Sequence, residues 1–130
     1  MRQILKNRKG VTLIELLAVI VILGIIAAIA VPTIGGLINR QEEKAAQATY
    51  DAIVEAAELY AESATPFTLA TLESDDFIDL KANTFSMVAD GVTITDKALI
   101  YITVSGGVVT FQDVDANAAT TFSINGHLVS

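Results

Sequence analysis

Glu15 is the only ionisable residue between positions 11 and 31. An ionised carboxylate taken into lipid without a partner costs several kcal/mol at the least, so such groups find a counter-charge or give up their own. Residues 16–31 then carry no polar side chain at all. Any fold for this chain must give that stretch an apolar surrounding and give the acid inside it a reason to be there.

Length decides what the surrounding is. At 1.5 Å per residue, residues 11–31 make a helix of about 32 Å, close to the ~30 Å hydrocarbon core of a bilayer. A buried helix of a soluble domain rarely needs that much. Arg2, Lys6, Arg8 and Lys9 precede the stretch, whereas Arg40 and Lys44 after it are diluted by Glu42 and Glu43. That asymmetry favours a cytoplasmic N-terminus and an exported C-terminal part. Ala28-Ile29-Ala30 also fits the small-x-small rule of a removable secretory signal, which is the competing reading. Against it, a signal's apolar region does not open with a glutamate, nor does it merge into a further helical pattern as this one does.

The string Lys9-Gly10-Val11-Thr12-Leu13-Ile14-Glu15-Leu16-Leu17, followed by Gly24 and Pro32, resembles the N-terminus of type IV pilins and the related pseudopilins. The resemblance covers residues 9–38, about a quarter of the chain. It implies that a membrane-embedded prepilin peptidase cuts between Gly10 and Val11 and methylates the new amino group of Val11. The family usually has phenylalanine where this chain has Val11. The partners implied are further copies of the chain in a homopolymer filament, the peptidase, an assembly platform membrane protein with its ATPase machinery, and the lipid bilayer before assembly. The location implied is the cytoplasmic membrane, head outside, and afterwards a surface pilus or envelope pseudopilus.

With the leader gone, Val11 carries a cationic amine at the start of a lipid-soluble helix, and Glu15 lies one turn along. As subunits stack with an axial offset, Glu15 faces a neighbour's amine. Either charge left alone keeps its desolvation penalty, so a wrong register is punished more than the right one is rewarded. Glu15 therefore sets assembly register more than raw stability; the plainer alternative is a carboxylate resting at the headgroup level. Pro32 cannot donate to the carbonyl four residues back, and Gly24 lowers helix stability by roughly 1 kcal/mol relative to alanine. The helix is softest between them, with Gly35-Gly36 a second soft point, unless these small residues serve close packing against a neighbouring helix.

Beyond Gly36 the pattern becomes amphipathic. Ala45, Ala48, Ala52, Ile53, Ala56, Leu59 and Tyr60 recur at helical spacing, with a second stripe of Tyr50, Val54, Ala57 and Ala61. Together they form an apolar arc of roughly 240°, so one side can cover a sheet and the other is left for neighbours. Asp51, Glu55, Glu58 and Glu62 fill the remaining sector. They form either a solvated face or a contact with Lys81 or Lys97 of an adjacent subunit.

Residues 64–66 interrupt the helix, and 67–80 read as a loop with one short helical turn. The period then changes to 2. Strands are expected at 85–89 and 92–95 across Asp90-Gly91, at 99–104 and 108–114 across Ser105-Gly106-Gly107, and at 121–124 and 127–129 across Asn125-Gly126. Ile100, Ile102 and Val104 share a face, as do Val109 and Phe111, giving one antiparallel sheet an apolar side for the helix at 45–60. The fold class expected is α+β, type IV pilin-like: a long N-terminal helix, transmembrane in its first half and amphipathic in its second, packed on a small antiparallel β head. Its parts are a leader at 1–10, a membrane or filament-core helix at 11–31, an amphipathic continuation at 32–63 and the loop and β head at 64–130.

Charge and composition narrow the function. The leader holds four of the eight basic side chains and none of the fifteen acids, so the mature chain carries a side-chain net of −11. Nucleic-acid binding by that surface is disfavoured, because phosphate neutralisation needs clustered Lys and Arg. Cysteine is absent, so the disulfide that closes a C-terminal loop in many pilins of Gram-negative bacteria has no counterpart. No enzyme is expected. There is one histidine, His127, read as a turn or strand residue, and there is neither a Gly-x-Ser-x-Gly nor a phosphate loop. Asp113, Asp115 and Asn117 alternate as in the first half of a calcium loop but lack its glycine and distal glutamate, so a plain hairpin-exit loop competes with a calcium site. Three readings remain: the subunit of a type IV pilus, the main pseudopilin of a type II secretion or competence system, and a monomeric membrane-anchored domain. The aspartate-proline-tryptophan-glycine run common in main secretion pseudopilins is absent, which puts the pilus reading first.

Overall fold

The computed structural model describes residues 2–62 and 66–130, with side chains from Gly10 onward. The expected helix end near Ser63 and most of the break at 64–66 lie outside the described residues, as do the side chains of Arg2, Lys6, Arg8 and Lys9. One helix, α1, spans Arg2–Tyr60. The chain divides into two compact units, Met1–Arg40 and Gln41–Ser130.

The first unit is helix alone. Pro32 lies inside it without ending it. The Thr33 hydroxyl donates to the carbonyl of Ile29 at 3.0 Å, a local bond that keeps this polar group off the apolar surface.

In the second unit, residues 41–60 of α1 are joined by β1 (Phe67–Thr68), α2 (Leu69–Ser74), β2 (Phe85–Ala89), β3 (Val92–Ile94), a 3₁₀ turn (Lys97–Leu99), β4 (Tyr101–Ser105), β5 (Val108–Gln112), β6 (Ala119–Ile124) and β7 (His127–Val129). Three antiparallel hairpins, β2–β3, β4–β5 and β6–β7, turn on two residues each: Asp90-Gly91, Gly106-Gly107 and Asn125-Gly126. Both central residues of every turn have positive φ, the geometry whose twist matches that of the flanking strands. Asn125 adopts it at 52° and is held from outside: its Oδ1 accepts from Thr84 N at 2.8 Å, and its own N–H donates to Thr84 O at 2.8 Å.

The single sheet expected from the sequence is instead two: β1-β4-β5 and β3-β2-β6-β7. A lone bridge, Gln112 to Ala118, joins them. Hairpins link neighbours in sequence, but β2 chooses β6 rather than β4, so two sheets result. The strand ends also move. The expected strand at 99–104 begins only at Tyr101, after the 3₁₀ turn, because Asp96 caps that turn through its carboxylate to Ala98 N at 2.9 Å. The strand at 108–114 stops at Gln112, where Asp113 begins a closed loop. Residues 67–74 are more ordered than expected: Phe67-Thr68 pairs with Ile102 and Tyr101, and the Thr68 hydroxyl caps α2 by accepting from Thr71 N at 3.2 Å.

The core lies between the helix and both sheets. Ile53 and Ala57 of α1 are fully buried with Leu69, Leu72, Leu80, Met87, Ile100, Ile102 and Ile124. Tyr50, Phe111 of β5 and Phe122 of β6 meet where the three layers touch, the two phenylalanine rings stacked at 4.5 Å. The buried face of the helix differs in phase from the first expected stripe. Ala46, Ile53, Ala56 and Ala57 are buried, whereas Ala45, Ala48, Ala52 and Leu59 are exposed. The helix thus keeps one apolar side inward and another outward.

Candidate functional site

Every Val, Leu and Ile from Val11 to Ile38 is more than half exposed. Such a surface, contiguous over seven helical turns, has no counterpart in a soluble monomer and must be covered by lipid or by other protein. The helix from Gly10 is long and apolar enough to cross a membrane.

Gly10, Val11 and Glu15 sit on this helix, all exposed, with Glu15 one turn after Val11 on the same side. Among the described residues no cation pairs with Glu15. A Cβ added at Gly10, Gly24, Gly35 or Gly36 would meet nothing within 4 Å. Among the described residues no packing therefore calls for glycine at these positions, each of which weakens the helix by roughly 1 kcal/mol relative to alanine. Gly24 and Pro32 are both exposed on the continuous helix.

Residues 5–31 match the prokaryotic N-terminal methylation motif. This is the prepilin-type cleavage and methylation segment of type IV pilins and pseudopilins. No curated protein and no solved structure matches the chain. The methylation motif and the long apolar helix support a processed subunit similar to the pilins and pseudopilins, and a helix of this length and composition suits membrane anchoring. The pilins and pseudopilins that carry this motif are structural subunits, and the motif implies processing by prepilin peptidase and filament assembly.

The other residues singled out in the sequence have defined surroundings. Asp113 is buried, and its carboxylate is turned onto its own loop: Oδ1 accepts from Asp115 N at 2.9 Å and Asn117 N at 2.8 Å, and Oδ2 accepts from the Asn117 side-chain amide at 2.8 Å. The Asn117 side-chain bond, then its backbone bond, hold the Asp113 carboxyl below the usual carboxylate range. Asp113, Asp115 and Asn117 are thus brought together as a loop closure, in which Asp115 contributes its backbone N–H and Asn117 both N–H groups. Among the described residues no three His, Cys, Asp or Glu side chains gather as a metal site.

Lys97, one of the two lysines offered as alternative partners for the acidic face, is paired with Glu73 of α2 inside its own unit. The cause is the 3₁₀ turn, which lays Lys97 against α2. Lys81 is exposed, beside a small hollow that Asp76 and Asp79 also line. His127 lies in β7, its Nε2 3.4 Å from Glu42 Oε2. Two contacts had no signal in the sequence. The Gln47 side-chain amide meets the backbone of Ser130, donating to its carbonyl at 3.0 Å, and the Tyr60 hydroxyl donates to Asp75 at 2.8 Å, which raises the Tyr60 hydroxyl above its ordinary value. Both join groups far apart in the chain.

Proposed function

We propose that this chain is the structural subunit of a type IV pilus: cut between Gly10 and Val11, methylated on the Val11 amine, and polymerised through its apolar helix. The observation that carries this reading is the conjunction of the methylation motif with a helix whose large apolar side chains, from Val11 to Ile38, all lack cover within the chain. In the membrane, lipid covers them; in the fibre, other copies do. The Val11 amine of one subunit meets Glu15 of its neighbour, so two groups that are each costly in an apolar medium satisfy one another and set the axial register. Gly24 and Pro32 soften the helix between them, which lets the packed fibre extend. Gly10 serves the peptidase, since packing among the described residues does not call for a glycine there.

Electron microscopy of material sheared from cells tests the reading. Long fibres of this subunit support a pilus, and short fibres seen only on overexpression assign it to a pseudopilus. Cleavage has its own test. Gly10 replaced by a bulky residue leaves an uncut precursor in the membrane, and a mature wild-type N-terminus found after Ala30 would overturn the prepilin reading in favour of a secretory signal.

A further inference from the structure

One exposed stripe of α1 carries charges of both signs, sorted along its length. Lys44, Asp51, Glu55 and Glu58 are spaced seven, four and three residues apart, which aligns them on one side of the helix, and Glu62 continues the series just past its end. All five are exposed. Within the described residues Lys44 pairs with no acid, and none of the acids pairs with a cation; Asp51 accepts only from the Gln47 amide at 3.1 Å. Arg40 precedes Lys44 by four in the sequence. Lys97 and Lys81, elsewhere in the unit, are poor complements. Lys97 is paired with Glu73, and Lys81 stands among Asp76 and Asp79, which the acidic stripe would repel.

We propose that Lys44 of one subunit docks against Glu55 and Glu58 of a second copy whose helix runs parallel and is shifted along its axis. The contact rests on the filament reading above, because a shared membrane orientation makes the helices parallel. Like charges at equal height repel, so this stripe disfavours copies in register. A shift of 11 to 14 residues, about 16–21 Å at 1.5 Å per residue, brings the cation of one onto the acids of the other. In a helical polymer each copy has neighbours at several axial offsets, so this contact involves a more distant neighbour than the Val11–Glu15 contact does. Exposed Ala45, Ala48, Ala52 and Leu59 flank the stripe and let two helices approach closely beside it.

Carbodiimide coupling of wild-type fibres reads the contact directly, because it joins an amine to a carboxylate only where the two touch. Mass spectrometry should then find a Lys44–Glu55 or Lys44–Glu58 linked peptide. Within one helix these side chains are too far apart to link. The Lys97–Glu73 pair is the internal control. Coupling at that control with no Lys44 link to Glu55 or Glu58 overturns the proposal. Charge exchange gives a second readout. Lys44→Glu should cut sheared fibre yield several-fold, with cleaved subunit still accumulating, and adding Glu55→Lys and Glu58→Lys should restore most of it. Full fibre yield from Lys44→Glu, or no recovery in the exchanged variant, contradicts the contact while leaving the filament reading intact. A wild-type chain that makes no fibres overturns the filament reading itself and this contact with it.

Discussion

Residues 11–38 and 41–130 solve opposite problems. The second region builds a core of its own: Ile53, Met87, Ile102 and Ile124 have no exposed surface, while Leu59, Val108 and Leu128 stay outside, and its hairpins close on tight two-residue turns. The first covers none of its own, and Glu15 within it has no cation among the described residues. One part builds a core as a single chain and the other finds cover only in company. Folding therefore rests on the second region, and substitutions in the two parts should fail in different ways.

The sharpest way to break this contrast is Glu15→Val. Cleavage should persist and the thermal transition of the β-rich region should stay unmoved, yet fibre yield should fall on the order of a hundredfold, because a buried amine is left unpaired. Ile53→Ala should do the reverse to folding. It removes a fully buried side chain from the junction of helix and sheets and should cost about 2–5 kcal/mol, read by near-ultraviolet circular dichroism of the full chain in detergent. Ile20→Ala, by contrast, should leave that transition where it is. A smaller effect is expected at the turn of the last hairpin. Gly126 has φ +83°, and alanine there should cost about 1–2 kcal/mol with no loss of cleavage.

Asp113 gives the smallest and most specific effect. Its folded value lies below the ordinary 3.8, so the closed loop contributes stability that is complete above that value and is lost as pH falls through the lower folded one. Melting temperature should therefore drop on acidification below about pH 4, and Asp113→Asn should flatten that part of the profile. An unchanged profile in the variant would assign the acid sensitivity to other carboxylates.

What the sequence made legible follows the range of the interactions. The methylation segment and the hairpin turns are local signals, and they lie where their residues placed them, save that Ser105, expected in the second turn, ends its strand. Strand partners were not local. Alternation in β2 and β6 shows which side chains face inward, but it says nothing of the choice of β6 over β4 as neighbour, so two sheets were read as one. The alanine-rich helix offered apolar residues on more than half its circumference. Bulk decided which face turned inward, with Tyr50 and Ile53 setting the phase, and alanines at 45, 48 and 52 were left outside. The pairing of Lys97 with Glu73 left no local trace, because Glu73 is 24 residues away and joins it only once α2 and the 3₁₀ turn are in place.

A map of the fibre at side-chain resolution tests the central claim most directly. It should show the Glu15 carboxylate of each subunit within hydrogen-bonding reach of the Val11 amine of a neighbour, both enclosed by the apolar side chains of residues 11–38. Glu15 turned to solvent, with no neighbouring amine near it, would contradict the account.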